Sequence, residues 1–234
     1  MAELVVALDL PTAGEALDLA DKLRGRVDWL KVGLQLFIAE GPNIVSSLKE
    51  RGFSVFLDLK LHDIPNTVAS AVTSAAARGA DMLTLHASGG DRMLAAAVEA
   101  RDRLTGARPI LMGVTVLTSL GSEDMRGVYA ADPEPLALDL SRKANTIGLD
   151  GVVCSAWEVA AIKRAASPGF ACLTPGIRPD ASGGGDDQRR TATPEEAVAQ
   201  GTDYLVVGRP ITRAAVPEQA AEEFAKRMGR APGS

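Results

Sequence analysis

The sequence predicts one (β/α)₈ barrel spanning the whole chain, residues 1–234. Three observations lead there. Eight short runs rich in Val, Leu and Ile recur along the chain, longer Ala-rich segments with helical spacing separate them, and 234 residues are enough for eight such units with short connections. A doubly wound sheet needs fewer strands.

The first strand is expected over 4–9, where Leu4-Val5-Val6-Ala7-Leu8 follows Met1-Ala2-Glu3 with no basic or long apolar lead, so it reads as a buried strand rather than a signal peptide. Strands then follow over 29–33, 54–60, 82–86, 110–117, 151–155, 170–174 and 204–208. Between them, segments such as 14–23, 42–51, 67–78 and 194–200 carry an apolar stripe that would cover the barrel. Residues 178–190, RPDASGGGDDQRR, have no periodic apolar face and three consecutive glycines. They read as a surface excursion or as a lid, and their place after the seventh strand favours the lid. Residues 229–234 are expected to be a frayed tail.

Composition narrows the function. With 46% hydrophobic residues and a formal net charge of −5, the chain has a large core and no global basic field for nucleic acid or an anionic membrane, so an anionic ligand must be held locally. No stretch approaches the ~18 uninterrupted apolar residues that a membrane span needs. Cys154 and Cys172 each sit inside an apolar run without CxxC spacing, and read as reduced core thiols of a cytoplasmic protein. Besides them only His62 and His86 are available, so no usual His/Cys metal cluster is expected.

The third strand reads Phe56-Leu57-Asp58-Leu59-Lys60-Leu61-His62-Asp63. Alternation along a strand gives Asp58 and Lys60 one face and the leucines the other. If the leucines face the helices, the two charges point into the barrel near its C-terminal rim, where an ion is costly unless paired or catalytic. An isolated D-x-K could be a structural ion pair. Here the first strand ends at Asp9 and the second carries Lys31, so four charges of alternating sign converge at the mouth where barrel enzymes place their chemistry.

Barrels commonly bind phosphate on the loops after strands seven and eight. Those loops read Pro175-Gly176-Ile177-Arg178 and Gly208-Arg209-Pro210-Ile211. Glycine allows close backbone approach, a following helix N-terminus adds its dipole, and arginine supplies a fork of donors. A phosphorylated substrate is expected.

These residues resemble the bacterial orotidine 5′-phosphate decarboxylases. Asp58-Leu59-Lys60-Leu61-His62-Asp63-Ile64-Pro65-Asn66-Thr67 is similar to that family's signature segment. The similarity continues in order through Lys31-Val32-Gly33, Val114-Thr115-Val116-Leu117-Thr118-Ser119, Thr174-Pro175-Gly176-Ile177-Arg178-Pro179, Asp187-Gln188-Arg189-Arg190 and Val207-Gly208-Arg209-Pro210-Ile211. The departure is Leu61, where many members carry Phe.

The resemblance implies cofactor-free conversion of orotidine 5′-phosphate to uridine monophosphate in pyrimidine biosynthesis. Lys60 would be the proton donor within a charged array of Asp58, Lys60, Lys31 and Asp63, with Asp63 coming from the other subunit of a homodimer. Asp9, Lys31 and Thr67 would hold ribose hydroxyls, Thr118 the pyrimidine edge, and Arg178, Gln188, Gly208 and Arg209 the phosphate. His62 would be a supporting or interface residue and His86 a hydrogen-bonded rim residue. Related Mg²⁺-dependent sugar-phosphate decarboxylases and aldolases share D-x-K-x-x-D but have an acidic metal ligand where this chain has Lys31. A non-catalytic phosphate-binding barrel would have lost part of the array, and every member is present.

Overall fold

The computed structural model describes residues 1–126, 129, 131–180 and 189–230, with the side chain of residue 126 excepted. Along the chain lie β1 (Glu3–Ala7), α1 (Ala13–Leu23), β2 (Trp29–Gly33), α2 (Leu34–Glu40), α3 (Asn43–Glu50), β3 (Ser54–Leu61), α4 (Pro65–Ala77), β4 (Met82–His86), α5 (Asp91–Asp102) and β5 (Ile110–Val114). Then come α6 (Ser122–Arg126), α7 (Pro133–Ile147), β6 (Gly151–Val153), α8 (Ala156–Ala165), β7 (Ala171–Thr174), α9 (Pro194–Ala199), β8 (Tyr204–Val207), α10 (Arg209–Thr212) and α11 (Pro217–Arg227). The strands close in chain order into a parallel barrel, β1 pairing with both β2 and β8. This is the predicted fold.

Local sequence explains where elements begin. Thr12 caps α1 by accepting the Glu15 N–H, Thr193 with Glu196 forms a capping box on α9, and at the start of α8 the Glu158 carboxylate accepts the Ser155 N–H. Proline occupies the first turn of α4, α7, α9 and α11, where its missing N–H costs nothing. The predicted strand edges run long at β5, which stops at Val114, and at β6, which stops at Val153, because residues 115–117 and 154–155 have already turned into the mouth loops. An apolar run alone does not tell a strand from the buried loop that continues it.

Alternation divides the strands' side chains between two cores. The outward set, with Leu4, Val6, Leu57, Leu83, Leu85, Val152 and Leu205 among it, packs against the helices. The inward set, Val5, Ala7, Phe56, Met82, Met112, Leu173 and Val206, fills the barrel as an apolar plug. At roughly 25 cal/mol per Å² of apolar surface removed from water, these two layers supply the main drive for folding.

The expected frayed tail is corrected at its start. Gly229 and Arg230 are anchored: the Arg230 N–H donates to the Ala225 carbonyl (3.0 Å), and its guanidinium pairs with Glu3 (2.5 Å) and Asp28 (3.6 Å). A cationic side chain beside β1 fixes the chain end that its Ala-Pro-Gly-Ser sequel suggested would fray. Residues 231–234 lie outside the described residues. Among the described residues, no helix is long and apolar enough to cross a membrane.

Candidate active site

The apolar plug does not reach the C-terminal ends of the strands. Above it opens a cavity of about 440 Å³, with Ala7, Phe56, Leu173 and Val206 in its lining. This volume suits a small-molecule ligand. Asp9, Lys31, Asp58 and Lys60 line one side, and Thr118, Arg178, Gly208 and Arg209 also line it.

The charges are interlocked. Lys60 Nζ donates to both carboxylate oxygens of Asp58 at 2.8 Å, Lys31 Nζ lies 3.6 Å from Asp58 Oδ2, and Lys31 Nζ donates to Asp9 Oδ1 at 2.9 Å. Lys31 and Asp58 are buried, whereas the Lys60 side chain is 31% exposed and so reaches the open space. Burial alone would push the Asp58 carboxyl up. The ammonium groups of Lys31 and Lys60, with hydrogen bonds from Lys60 and Thr84, overcome that and hold it below its ordinary value. Gly33 makes room for this array, because a Cβ there would stand 2.9 Å from both Asp9 Oδ1 and Lys31 Nζ.

Strict alternation does not explain Lys60. Leu57 pairs with Leu83 and Leu61 with Leu85, so Asp58, Leu59 and Lys60 together face the single residue Thr84. Lys60 has φ 52°, the sole positive value outside glycine among the described residues. The bulge takes the Lys60 N–H out of the ladder, and the buried Thr84 hydroxyl accepts it (2.9 Å) while donating to Asp58 Oδ1 (2.9 Å). A left-handed residue costs about 1–2 kcal/mol. An orphaned buried N–H costs about 1–3 kcal/mol, and a hydrogen bond to a charged group contributes about 1.5–3 kcal/mol. The two bonds through Thr84 therefore outweigh the strain, and the shared face of Asp58 and Lys60 arises from a bulge rather than from a regular strand. In the sequence Thr84 is an inward polar residue between Met82 and the strand end, a fainter mark than the charged D-x-K.

The loops of the second half meet over the cavity. The Arg178 N–H donates to the Ala192 carbonyl at 2.9 Å, and Ile177 bridges Ala192, so the two ends of the 178–190 segment are held together. The N–H groups of Arg189 and Arg190 donate to the Thr118 carbonyl at 3.2 and 3.3 Å. Arg190 also donates to the Val116 carbonyl (3.1 Å) and forms an ion pair with Glu158, which is buried and accepts the Ser155 N–H at 2.9 Å. Burial raises the Glu158 carboxyl above its ordinary value despite Arg190. Arg178 is half-buried, and burial lowers its guanidinium below its ordinary value. The helix after β8 has only four residues, and its Ile211 and Thr212 N–H groups donate to the Gly208 carbonyl, which weakens the expected contribution of a helix dipole there.

Two of the predicted residues that the structure describes do not line the cavity. Asp63 and Thr67 are exposed beyond the end of β3 and in the first turn of α4, and Asp63 lines a separate shallow depression with His62, Ile64 and residues 89–93. Gln188, with most of the expected lid, lies outside the described residues. His86 is half-buried with its ring centroid 5.3 Å from that of His62, and burial, His62 and Lys60 hold it below its ordinary value. Cys154 and Cys172 are buried free thiols. Among the described residues, no group of three or more His, Cys, Asp or Glu is arranged to hold a metal ion.

A parallel barrel with a buried charge array and two arginines around a cavity at the C-terminal ends of its strands has the architecture of an α/β-barrel enzyme. Comparison with known proteins narrows that class. The sequence profile described as the Orotidine 5′-phosphate decarboxylase / HUMPS family matches residues 2–224, and the chain belongs to that family. A protein named orotidine 5′-phosphate decarboxylase from Nitratidesulfovibrio vulgaris is 53% identical over 231 residues, covering 97% of this chain and 98% of its own. Another of that name from Pseudomonas aeruginosa is 49% identical over 227 residues, covering 97% of each. The crystal structure of orotidine 5′-phosphate decarboxylase from Lactobacillus acidophilus superposes with a TM-score of 0.85 at 34% identity, covering 97% of this chain and 99% of that one.

Proposed function

We propose that this chain decarboxylates orotidine 5′-phosphate to uridine monophosphate, the carboxy-lyase step its relatives are named for. The observation that carries the reading is Asp58 held buried between Lys31 and Lys60 on one wall of a cavity that Arg178 and Arg209 also line. An anionic sugar phosphate bound by the arginines would present its base to Lys60.

In the proposed reaction the bond from C6 to the carboxylate breaks, its electron pair stays on C6, and CO₂ leaves. The Lys60 ammonium stabilises the developing negative charge and then transfers a proton from Nζ to C6, to be replaced from solvent. Asp58 fixes that ammonium and stands near the departing carboxylate. Asp9 and Lys31 serve the ribose hydroxyls and Thr118 the pyrimidine edge. Arg178, Gly208, Arg209 and Gln188 serve the phosphate, whose binding energy draws residues 178–190 over the site as a lid. No cofactor has a part in these steps, and the enzyme would act in the cytoplasm.

Asp63 and Thr67 stand outside their own cavity on an exposed turn that also presents Ile64. We assign them to the neighbouring site of a homodimer, where two-fold symmetry makes the exchange reciprocal. The deciding assay mixes EDTA-treated protein with orotidine 5′-phosphate and follows the orotate chromophore. Its loss is expected. A persistent signal, or one lost only when Mg²⁺ is restored, refutes the reading.

A further inference from the structure

We infer that Thr84 is a positioning residue for the reaction, its hydroxyl tying the Lys60 backbone to the Asp58 carboxylate so that the lysine is held at both ends. The inference rests on the decarboxylase reading for its kinetic readout.

Four contacts among three residues carry it. The Lys60 N–H donates to Thr84 Oγ1 at 2.9 Å, Thr84 Oγ1 donates to Asp58 Oδ1 at 2.9 Å, and Lys60 Nζ donates to both Asp58 oxygens at 2.8 Å. Together they close a ring that begins and ends on Lys60. An amide can only donate, so the hydroxyl must accept from it and direct its single proton elsewhere, which is to Asp58. Accepting from the amide also polarises the hydroxyl and strengthens its bond to the carboxylate.

A lysine fixed only through its ammonium would keep its freedom at the backbone end. Here that end is a left-handed residue in a bulge, and Thr84 is the partner that takes its displaced N–H. Thr84 is fully buried on the inward face of β4, so water cannot take its place without opening the barrel. The groups facing Asp58 are Lys31 from β2, Lys60 from its own strand and His86 from the end of β4, with Asp9, two residues beyond β1, acting through Lys31. Thr84 is the sole uncharged side chain donating to Asp58 among the described residues.

The test replaces Thr84 with valine, which keeps the shape and removes the hydroxyl, and with serine, which keeps the hydroxyl. Misplacing a reacting group by about 1 Å costs on the order of 100-fold, so Thr84→Val should lower kcat by roughly 10–100-fold with KM and product affinity little changed. Loss of a donor raises the Asp58 carboxyl, so the acid limb of the kcat profile should move to higher pH. Thr84→Ser should regain most of the activity and return the limb to lower pH. Wild-type turnover must be seen first, since its absence would sink the decarboxylase reading rather than this one. Turnover of Thr84→Val within about 2-fold of wild type would overturn the inference, as would a folded Thr84→Ser as slow as the valine variant. If the valine variant does not fold, the serine variant's rate and pH profile, set against those of Thr84→Ala, decide the matter by the same criteria.

Discussion

The mouth wall built by β1, β2 and β3 presents Asp9, Lys31, Asp58 and Lys60 to the cavity, while that built from β5 to β7 presents Val114, Val116, Val153, Cys154 and Leu173. Lys31, Asp58 and Lys60 of the charged wall sit on strands, Asp9 lies just beyond β1, and side-chain bonds of 2.8–2.9 Å fix them. On the other side the charges stand beyond the strand ends: Arg178 on the loop after β7 and Arg209 at the start of α10 beside the cavity, and behind it Arg190, which ties its loop to Glu158 in the first turn of α8 and to the Val116 carbonyl. Field strength depends steeply on distance, so ions meant to act on a reacting atom belong on rigid strands. A grip that closes on its ligand belongs on loops. The apolar wall excludes water and lowers the local dielectric, which strengthens the charges opposite.

Substitutions on the two sides should therefore fail differently. The largest effect is expected for Lys60→Ala, which removes both the electrostatic partner and the proton donor and should cost at least about 10⁴-fold in turnover while sparing product binding. Mixed with Asp63→Asn under subunit exchange, it should recover about a quarter of wild-type sites, because half the dimers are mixed and each carries one intact site. Activity that stays at the level of the separate variants would put Asp63 in its own subunit's site.

Next in size is Arg209→Ala, expected to lower kcat/KM for the phosphorylated substrate by about 2–4 kcal/mol and to cost little for orotidine, which lacks the phosphate. Equal losses for both substrates would erase the proposed division of labour. The smallest effect concerns stability. Arg190→Ala leaves Glu158 buried without its cation and should destabilise by about 1–3 kcal/mol, less than a fully buried pair would lose because Glu158 can take up a proton. Burial already raises the Glu158 carboxyl, and losing Arg190 raises it further. A raised carboxyl contributes stability at low pH that disappears as pH rises through its folded value, so the deficit should be larger at pH 8 than at pH 5. Thermal melts at the two pH values would show it, and a deficit independent of pH would mean that the loss comes from the Val116 and loop contacts alone.

The barrel was legible because eight apolar runs and their helical spacers leave few topologies. Asp9, Lys31, Asp58 and Lys60 were legible because ions at strand ends are conspicuous in an apolar pattern. What the pattern concealed is of two kinds. The bulge leaves no mark on composition, since D-L-K reads the same in a regular strand, and the register slip appears only when Leu57 and Leu61 are paired with Leu83 and Leu85. Contacts between distant segments, such as Arg190 with Glu158 of α8, depend on closure of the whole barrel, which local spacing does not encode. Asp63 and Thr67 fell within a motif whose first half lines the cavity, and the turn at Ile64-Pro65 carries the second half away from it.

The left-handed backbone at Lys60 bears on anyone who would transplant this chemistry. Copying aspartate, leucine and lysine onto a regular strand of another barrel would deliver the right side chains on the wrong trace, with the ammonium displaced and an amide competing for the neighbouring ladder. The portable unit is larger than the motif: it comprises the two-residue slip against the next strand, the inward hydroxyl that accepts the displaced amide, and the bare backbone at Gly33 that leaves space for the partner charges. A graft that omits any of these should fold and bind more readily than it turns over.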